Sequence, residues 1–147
     1  MAGKPPFRVV ASGNTAPPQL RILVADDDRD ITTTLAAILR GEGHEVHTVL
    51  RGDEILELCR LVRPDVVITD VNMPGTSGYA VARELRERHG TVAPLLIAMS
   101  GQWTQTSDKL LGHAVGFDYY LLKPTNPKEL LAILVQFSAS AANSKTS

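Results

Sequence analysis

Strand-like and helix-like segments alternate five times along this chain, and that alternation restricts its fold more than any single motif. The runs "RILVA" (21–25), "DVVIT" (65–69), "LLIAM" (95–99) and "YYLL" (119–122) are short and mostly apolar, while "EVHTV" (45–49) alternates polar with apolar residues. Both patterns are strand signatures, the continuous one being that of burial on both faces. Between them, apolar residues recur at helical spacing. Ile31, Leu35, Ile38 and Leu39 mark one helix, closed by Gly41 and Gly43. Ile55, Leu58, Cys59 and Val62 mark a second, stopped before Pro64. A third spans Ser77 to His89, with Ala82 and Leu85 inward and Arg83, Glu84, Arg86, Glu87 and Arg88 largely solvated. A weaker pattern covers roughly 107–115 and closes at Gly116, and Leu130, Ile133, Leu134 and Phe137 mark the last helix.

A strand–helix unit repeated in this way builds a parallel sheet with helices on both faces, an α/β three-layer sandwich. Five units in about 120 residues suit the flavodoxin-like (βα)5 arrangement with strand order 2-1-3-4-5. Such sheets bind ligands outside the carboxyl ends of their strands, where the strand order reverses. The residues just after each strand are therefore where chemistry belongs.

One domain is expected over 20–137. Residues 1–19, punctuated by Pro5, Pro6, Pro17 and Pro18, read as a flexible N-terminal tail or linker. The last segment, "SASAANSKTS" (138–147), is small and polar and reads as a disordered C-terminal tail. With 15 basic and 16 acidic residues the chain has no electrostatic footprint for nucleic acid or an anionic membrane, so neither is expected as a partner. Cys59 is the sole cysteine, which rules out an intrachain disulfide and fits a reducing compartment. It falls on an apolar helical face and reads as core. No stretch approaches the roughly 20 apolar residues of a membrane span, and "MAGKPPFRVV" lacks a signal peptide's apolar core, so the expected location is the cytoplasm. His44, His47, His89 and His113 have no ligand spacing and read as structural or surface residues.

The strand ends carry an unusual set of side chains. Asp26, Asp27 and Asp28 follow the first strand, Asp70 the third, Ser100 the fourth, and Lys123 with Pro124 the fifth. Each has an ordinary explanation. Asp27 or Asp28 can cap the first helix, Asp70 can be a turn acid, Ser100 a loop hydroxyl and Lys123 a surface charge. One cap does not account for three consecutive acids that repel each other, and the joint occurrence at four strand ends points to one site. Clustered carboxylates suit Mg²⁺, which prefers oxygen ligands. A carboxylate beside such a metal can attack phosphorus, and an ammonium and a hydroxyl can neutralise or hydrogen-bond the phosphoryl oxygens.

With "ILVADDD", "DVVITDVNMPGTSG", "LLIAMSG" and "YYLLKP" occurring in order over residues 21–137, the chain resembles the receiver domain of two-component response regulators. The resemblance implies that Asp70 is the phosphoacceptor. It implies that Asp26 and Asp27 hold Mg²⁺, with Asp27 favoured as the direct ligand, together with Asp70 and the backbone carbonyl of Asn72. Ser100 takes the switch Ser/Thr position, Lys123 that of the family's lysine, and Tyr120 the aromatic switch position, although a plain strand aromatic is the competing reading for Tyr120. The Lys123–Pro124 bond is expected to be cis. Thr125 stands where an apolar residue is common, and Gln102 and Trp103 flank the site. The ending "GFDYYLLKPTNPKELLAIL" resembles receivers attached to hybrid histidine kinases.

The implied activity is transfer of a phosphoryl group to Asp70 from a phosphohistidine of a histidine kinase or histidine phosphotransfer protein. The domain then catalyses only its own phosphorylation and dephosphorylation, so it is a signalling module and not an enzyme acting on other substrates. A downstream protein would be engaged through the surface of the 107–115 helix and the fifth strand, in a monomer or weak dimer. Two alternatives stand beside this. A haloacid-dehalogenase-type phosphohydrolase would use Asp26 and Asp28 with Ser100 and Lys123, but it leaves Asp70 without a role and lacks an acidic pair after the lysine. A degenerate receiver would serve only for docking.

Overall fold

The computed structural model describes residues 19–90, 93–101 and 116–146. Its strands are β1 (Arg21–Ala25), β2 (Glu45–Val49), β3 (Val66–Asp70), β4 (Leu95–Ser100) and β5 (Tyr119–Leu122). Its helices are α1 (Arg29–Gly41), α2 (Asp53–Val62), α3 (Gly78–His89) and α4 (Pro127–Thr146). The helix expected over 107–115 lies outside the described residues, as do Gln102, Trp103 and His113.

All five strands pair in parallel in the order β2-β1-β3-β4-β5, the arrangement expected from the strand–helix alternation. Successive residues of a strand point to opposite faces, so each strand feeds two cores. Ile22, Val24, Val66, Ile68, Ile97 and Met99 pack with Leu35 and Leu39 of α1 and Leu130 and Leu134 of α4. Leu23, Ala25, Val67, Leu96 and Ala98 pack with Ile55 and Cys59 of α2 and Val81, Ala82 and Leu85 of α3. Burial pushes the Cys59 thiol up to about 11, so it stays protonated as a small core residue.

Local chemistry sets the element ends. Asp28 is the N-cap of α1, its Oδ1 accepting from Asp30 N at 2.9 Å. Ser77 caps α3 by accepting from Ala80 N at 3.2 Å. His44 is buried, and its Nδ1 accepts from Leu20 N at 3.1 Å, a structural role as expected.

Three expectations need correction. Strand β3 runs Val66–Asp70 instead of 65–69, so Asp70 is the buried last residue of the strand and not the first of the loop. Asp65 stands before the strand and accepts from Arg21 N at 2.8 Å. Residues 138–146 are not a disordered tail. α4 continues to Thr146, and Ser138 is buried. The segment carries Ala139, Ala141 and Ala142 with no Gly or Pro, so intrinsic propensity extends a helix already anchored by Leu130 and Leu134. Arg86 is half-buried and engaged with the approach to β5, not solvated.

Candidate functional site

Sheet register brings the strand-end residues together. Ala25 pairs with Thr69 across β1 and β3, so the next residues, Asp26 and Asp70, lie side by side. Asp70 pairs with Met99 and Ser100 with Leu122, which places Ser100 and Lys123 next along the same rim. Lys123 N donates to Ser100 O at 2.9 Å. This rim is where the strand order reverses.

Lys123 ties the acids together. Its Nζ lies 2.6 Å from Asp26 Oδ2 and 3.0 Å from Asp70 Oδ2. The side chain of Asp26 is fully buried, that of Asp70 is nearly so, and Lys123 retains partial exposure. Asp26 Oδ1 accepts from Asp28 N at 2.9 Å, and Asp70 Oδ1 accepts from Asn72 N at 3.2 Å. Burial raises the Asp26 carboxyl above its usual value, and Lys123 and the Asp28 amide only partly offset that. Burial opposes the Lys123 ammonium, but the hydrogen bonds and charges of Asp26 and Asp70 outweigh it and hold the amine above its usual value. Lys123 is therefore a fixed cation at neutral pH.

The acid cluster has the chemistry of a cation site. One carboxylate oxygen from each of Asp26, Asp27 and Asp70 lies within 4.8 Å of the others. Asp27 is exposed at the mouth, whereas Asp26 is at the base. Asp26 Oδ2 is buried and, apart from the close Lys123 Nζ, has no partner among the described residues. Hard carboxylate oxygens with spare acceptor capacity fit a small divalent cation such as Mg²⁺.

Tyr120 lies two strands away on the α2–α3 face. Its ring meets Phe117 edge-on at 6.2 Å, its hydroxyl donates to Phe117 O at 3.4 Å, and burial with the nearby Asp118 pushes its pKa up to about 12. Sequence reading missed the brace beside it. Arg86 of α3 donates to Gly116 O at 2.9 Å and to Asp118 Oδ2 at 2.6 Å, and the same Asp118 oxygen accepts from Leu96 N at 2.9 Å. No local signal distinguishes Arg86 from its charged neighbours on α3. The Lys123–Pro124 peptide is cis, as expected.

The doubly wound sheet gathers acids, a hydroxyl and a lysine at its switch point, an arrangement of the flavodoxin-like class. The chain belongs to the response regulator receiver domain family, whose model matches residues 22–135. Over 112 residues it is 41% identical to the DNA-binding response regulator MtrA of Mycobacterium tuberculosis strain H37Rv, a match covering 76% of this chain and 47% of MtrA. The chain thus spans about half the length of the curated relatives it matches. Those relatives are named DNA-binding response regulators. Among solved structures, the chemotaxis response regulator CheY4 of Vibrio cholerae matches with a TM-score of 0.72 at 31% identity, over 82% of this chain and 98% of that one. The BeF3-activated N-terminal receiver domain of RstA from Klebsiella pneumoniae matches with a TM-score of 0.70 at 30% identity, over 78% and 94%. This chain is a receiver domain of two-component signalling, a reading the match favours over a phosphohydrolase.

Proposed function

We propose that Asp70 is the phosphoacceptor. The observation that carries the reading is the Lys123 ammonium held between Asp26 and Asp70 at the ends of adjacent strands. An Asp70 carboxylate oxygen attacks phosphorus of a phosphohistidine on a histidine kinase or histidine phosphotransfer protein. The new O–P bond forms as the P–N bond breaks, and the imidazole nitrogen leaves with the electron pair. Lys123 faces the charge on the transferred group, and Ser100 offers a hydroxyl from the neighbouring strand end. Asp26, Asp27, Asp70 and the Asn72 backbone carbonyl would hold Mg²⁺, which when bound neutralises phosphoryl oxygens. Asp26 anchors the base of that set, and the exposed Asp27 is the favoured direct ligand at its mouth.

Ser100 and Tyr120 form the switch, biasing two pre-existing arrangements of the surface that a downstream protein reads. The MtrA relatives are named DNA-binding. For this chain, near-balanced in charge, the proposed partners are proteins. The proposed location is the cytoplasm, beside such partners; no helix among the described residues is long and apolar enough to cross a membrane.

The test is phosphorylation by acetyl phosphate with Mg²⁺, followed by intact mass. The chain should gain one phosphoryl group, and Asp70→Asn should gain none. Full labelling of the variant would sink the assignment, and turnover of a generic phosphate ester would revive the phosphohydrolase.

A further inference from the structure

The loop that carries Asn72 does not stand alone. The β2–α2 loop packs directly against it through Gly52. Gly52 N donates to Pro74 O at 3.0 Å. A Cβ built on Gly52 would lie 1.5 Å from Thr76 O and 2.6 Å from Thr76 C. The backbone of Gly52 is ordinary, with φ −64° and ψ −34°, so any residue could adopt it. Glycine is demanded here by space alone, because the obstacle is backbone and not a movable side chain.

Two further glycines tighten the same segment. Gly75 has φ +84°, and a Cβ there would sit 2.5 Å from Asp53 Oδ1, on the far side of the same loop contact. Asp53 is itself held by Arg51 Nε at 3.0 Å. Gly78 N donates to Val71 O at 3.1 Å, and its own Cβ would meet Asp70 O and Val71 Cα at 2.8 Å. Residues 71–78 are thus clamped at one end onto the Asp70 backbone and in the middle onto the β2–α2 loop.

We propose that Gly52 is a positioning residue for the cation and phosphoryl site, a role that rests on the site reading given above. By admitting the 73–76 backbone to contact, Gly52 fixes where the loop presents Asn72 relative to Asp26, Asp27 and Asp70. A methyl group at this position forces the 73–76 backbone outward, and the loop moves with its Asn72 carbonyl. Outer-sphere groups that orient ligands typically change metal affinity by about 10–100-fold when altered.

The experiment measures Mg²⁺ affinity of the full chain by calorimetry, with stability followed by urea denaturation. Gly52→Ala should weaken Mg²⁺ binding about tenfold or more. Val46→Ala, a buried change in β2 remote from the rim, serves as a destabilised control and should leave the affinity within about twofold. Equal affinity in Gly52→Ala and wild type, or equal losses in both variants, would overturn the proposal. Wild-type protein that binds no Mg²⁺ would instead overturn the site reading itself. The wild type also supplies a test that needs no variant. Exchange of the Gly52 amide, bonded to Pro74 O, should slow at least about fivefold when Mg²⁺ binds, as a site coupled to this loop requires. Exchange indifferent to Mg²⁺ would count against the coupling even if Gly52→Ala fails to fold.

Discussion

Replacing Lys123 with Met removes one charge while keeping a side chain of similar length, so the change isolates the electrostatics of the rim. Lys123 Nζ is 2.6 Å from Asp26 Oδ2 and 3.0 Å from Asp70 Oδ2. Without it the carboxylate oxygens of Asp26, Asp27 and Asp70, within 4.8 Å of one another, face each other unscreened. Two unit charges at that distance repel by about 3.5 kcal/mol at an effective dielectric constant of about 20. Removing one partner of a fully buried ion pair costs about 3–5 kcal/mol, and the partial exposure of Lys123 places this case lower. Asp26 can also relieve the strain by binding a proton, at about 1.4 kcal/mol per pH unit above its pKa. We therefore expect Lys123→Met to lose about 2–4 kcal/mol at pH 7 in chelator-treated buffer.

The loss should depend on pH and on cations. Burial already raises the Asp26 carboxyl, and deleting Lys123 takes away the chief influence that lowers it. A carboxylate with a raised folded pKa contributes stability at low pH and loses that contribution as pH rises through the folded value. The deficit of the variant should therefore be smallest near the unfolded Asp value of 3.8 and grow toward neutrality. Saturating Mg²⁺ should shrink it by supplying positive charge to the same acids. Urea denaturation at several pH values, with and without Mg²⁺, reads all of this from the midpoint at constant slope. A deficit below about 1 kcal/mol at pH 7, or one independent of pH, would refute the electrostatic reasoning.

Two other perturbations follow from the same structure. His44 is buried and held neutral, its pKa lowered by desolvation, while its Nδ1 accepts from Leu20 N. Its contribution is complete above the unfolded value of 6.5 and is lost as pH falls below 6.5 and through the lowered folded value. His44→Gln should flatten the stability profile on the acid side of 6.5, and an unchanged slope there in urea denaturation would show that another group titrates in that range. Arg86→Ala breaks the contacts to Gly116 O and Asp118 Oδ2 and should cost about 1–2 kcal/mol, discounted for exposure. Arg86→Lys should not restore it in thermal unfolding, because a single ammonium cannot reproduce the guanidinium fork that spans both acceptors.

Much of the fold was legible because its elements are encoded by near neighbours. The runs at 21–25, 45–49, 95–99 and 119–122 became strands within one residue of expectation, since period-two patterning and continuous apolarity are properties of adjacent residues. The end of β3 shifted by one because Asp65 and Asp70 are both acids flanking the same apolar run, and the ladder with β4 chose Asp70. The C-terminal helix ran on past Phe137 because small polar composition suits a tail and a helix alike, and anchoring decided between them. Arg86 and Gly52 carried no local signal. One looks like any charged helix residue and the other like any loop glycine, until residues 24 and 32 positions away arrive beside them.

What the chain determines by itself is the menu at the rim: three acids after the first apolar run, Asp70 after the third, Ser100 after the fourth and Lys123 after the fifth. Their sequence positions follow from where apolar runs stop. Which of them touch was decided only in three dimensions. Register set Asp26 beside Asp70, burial made Asp26 the base of the cluster and left Asp27 at its mouth, and a lysine 53 residues from Asp70 closed the ion pairs. Strand identity is a matter of local periodicity, whereas charge pairing depends on distances between strands that the chain joins only by passing through whole helices.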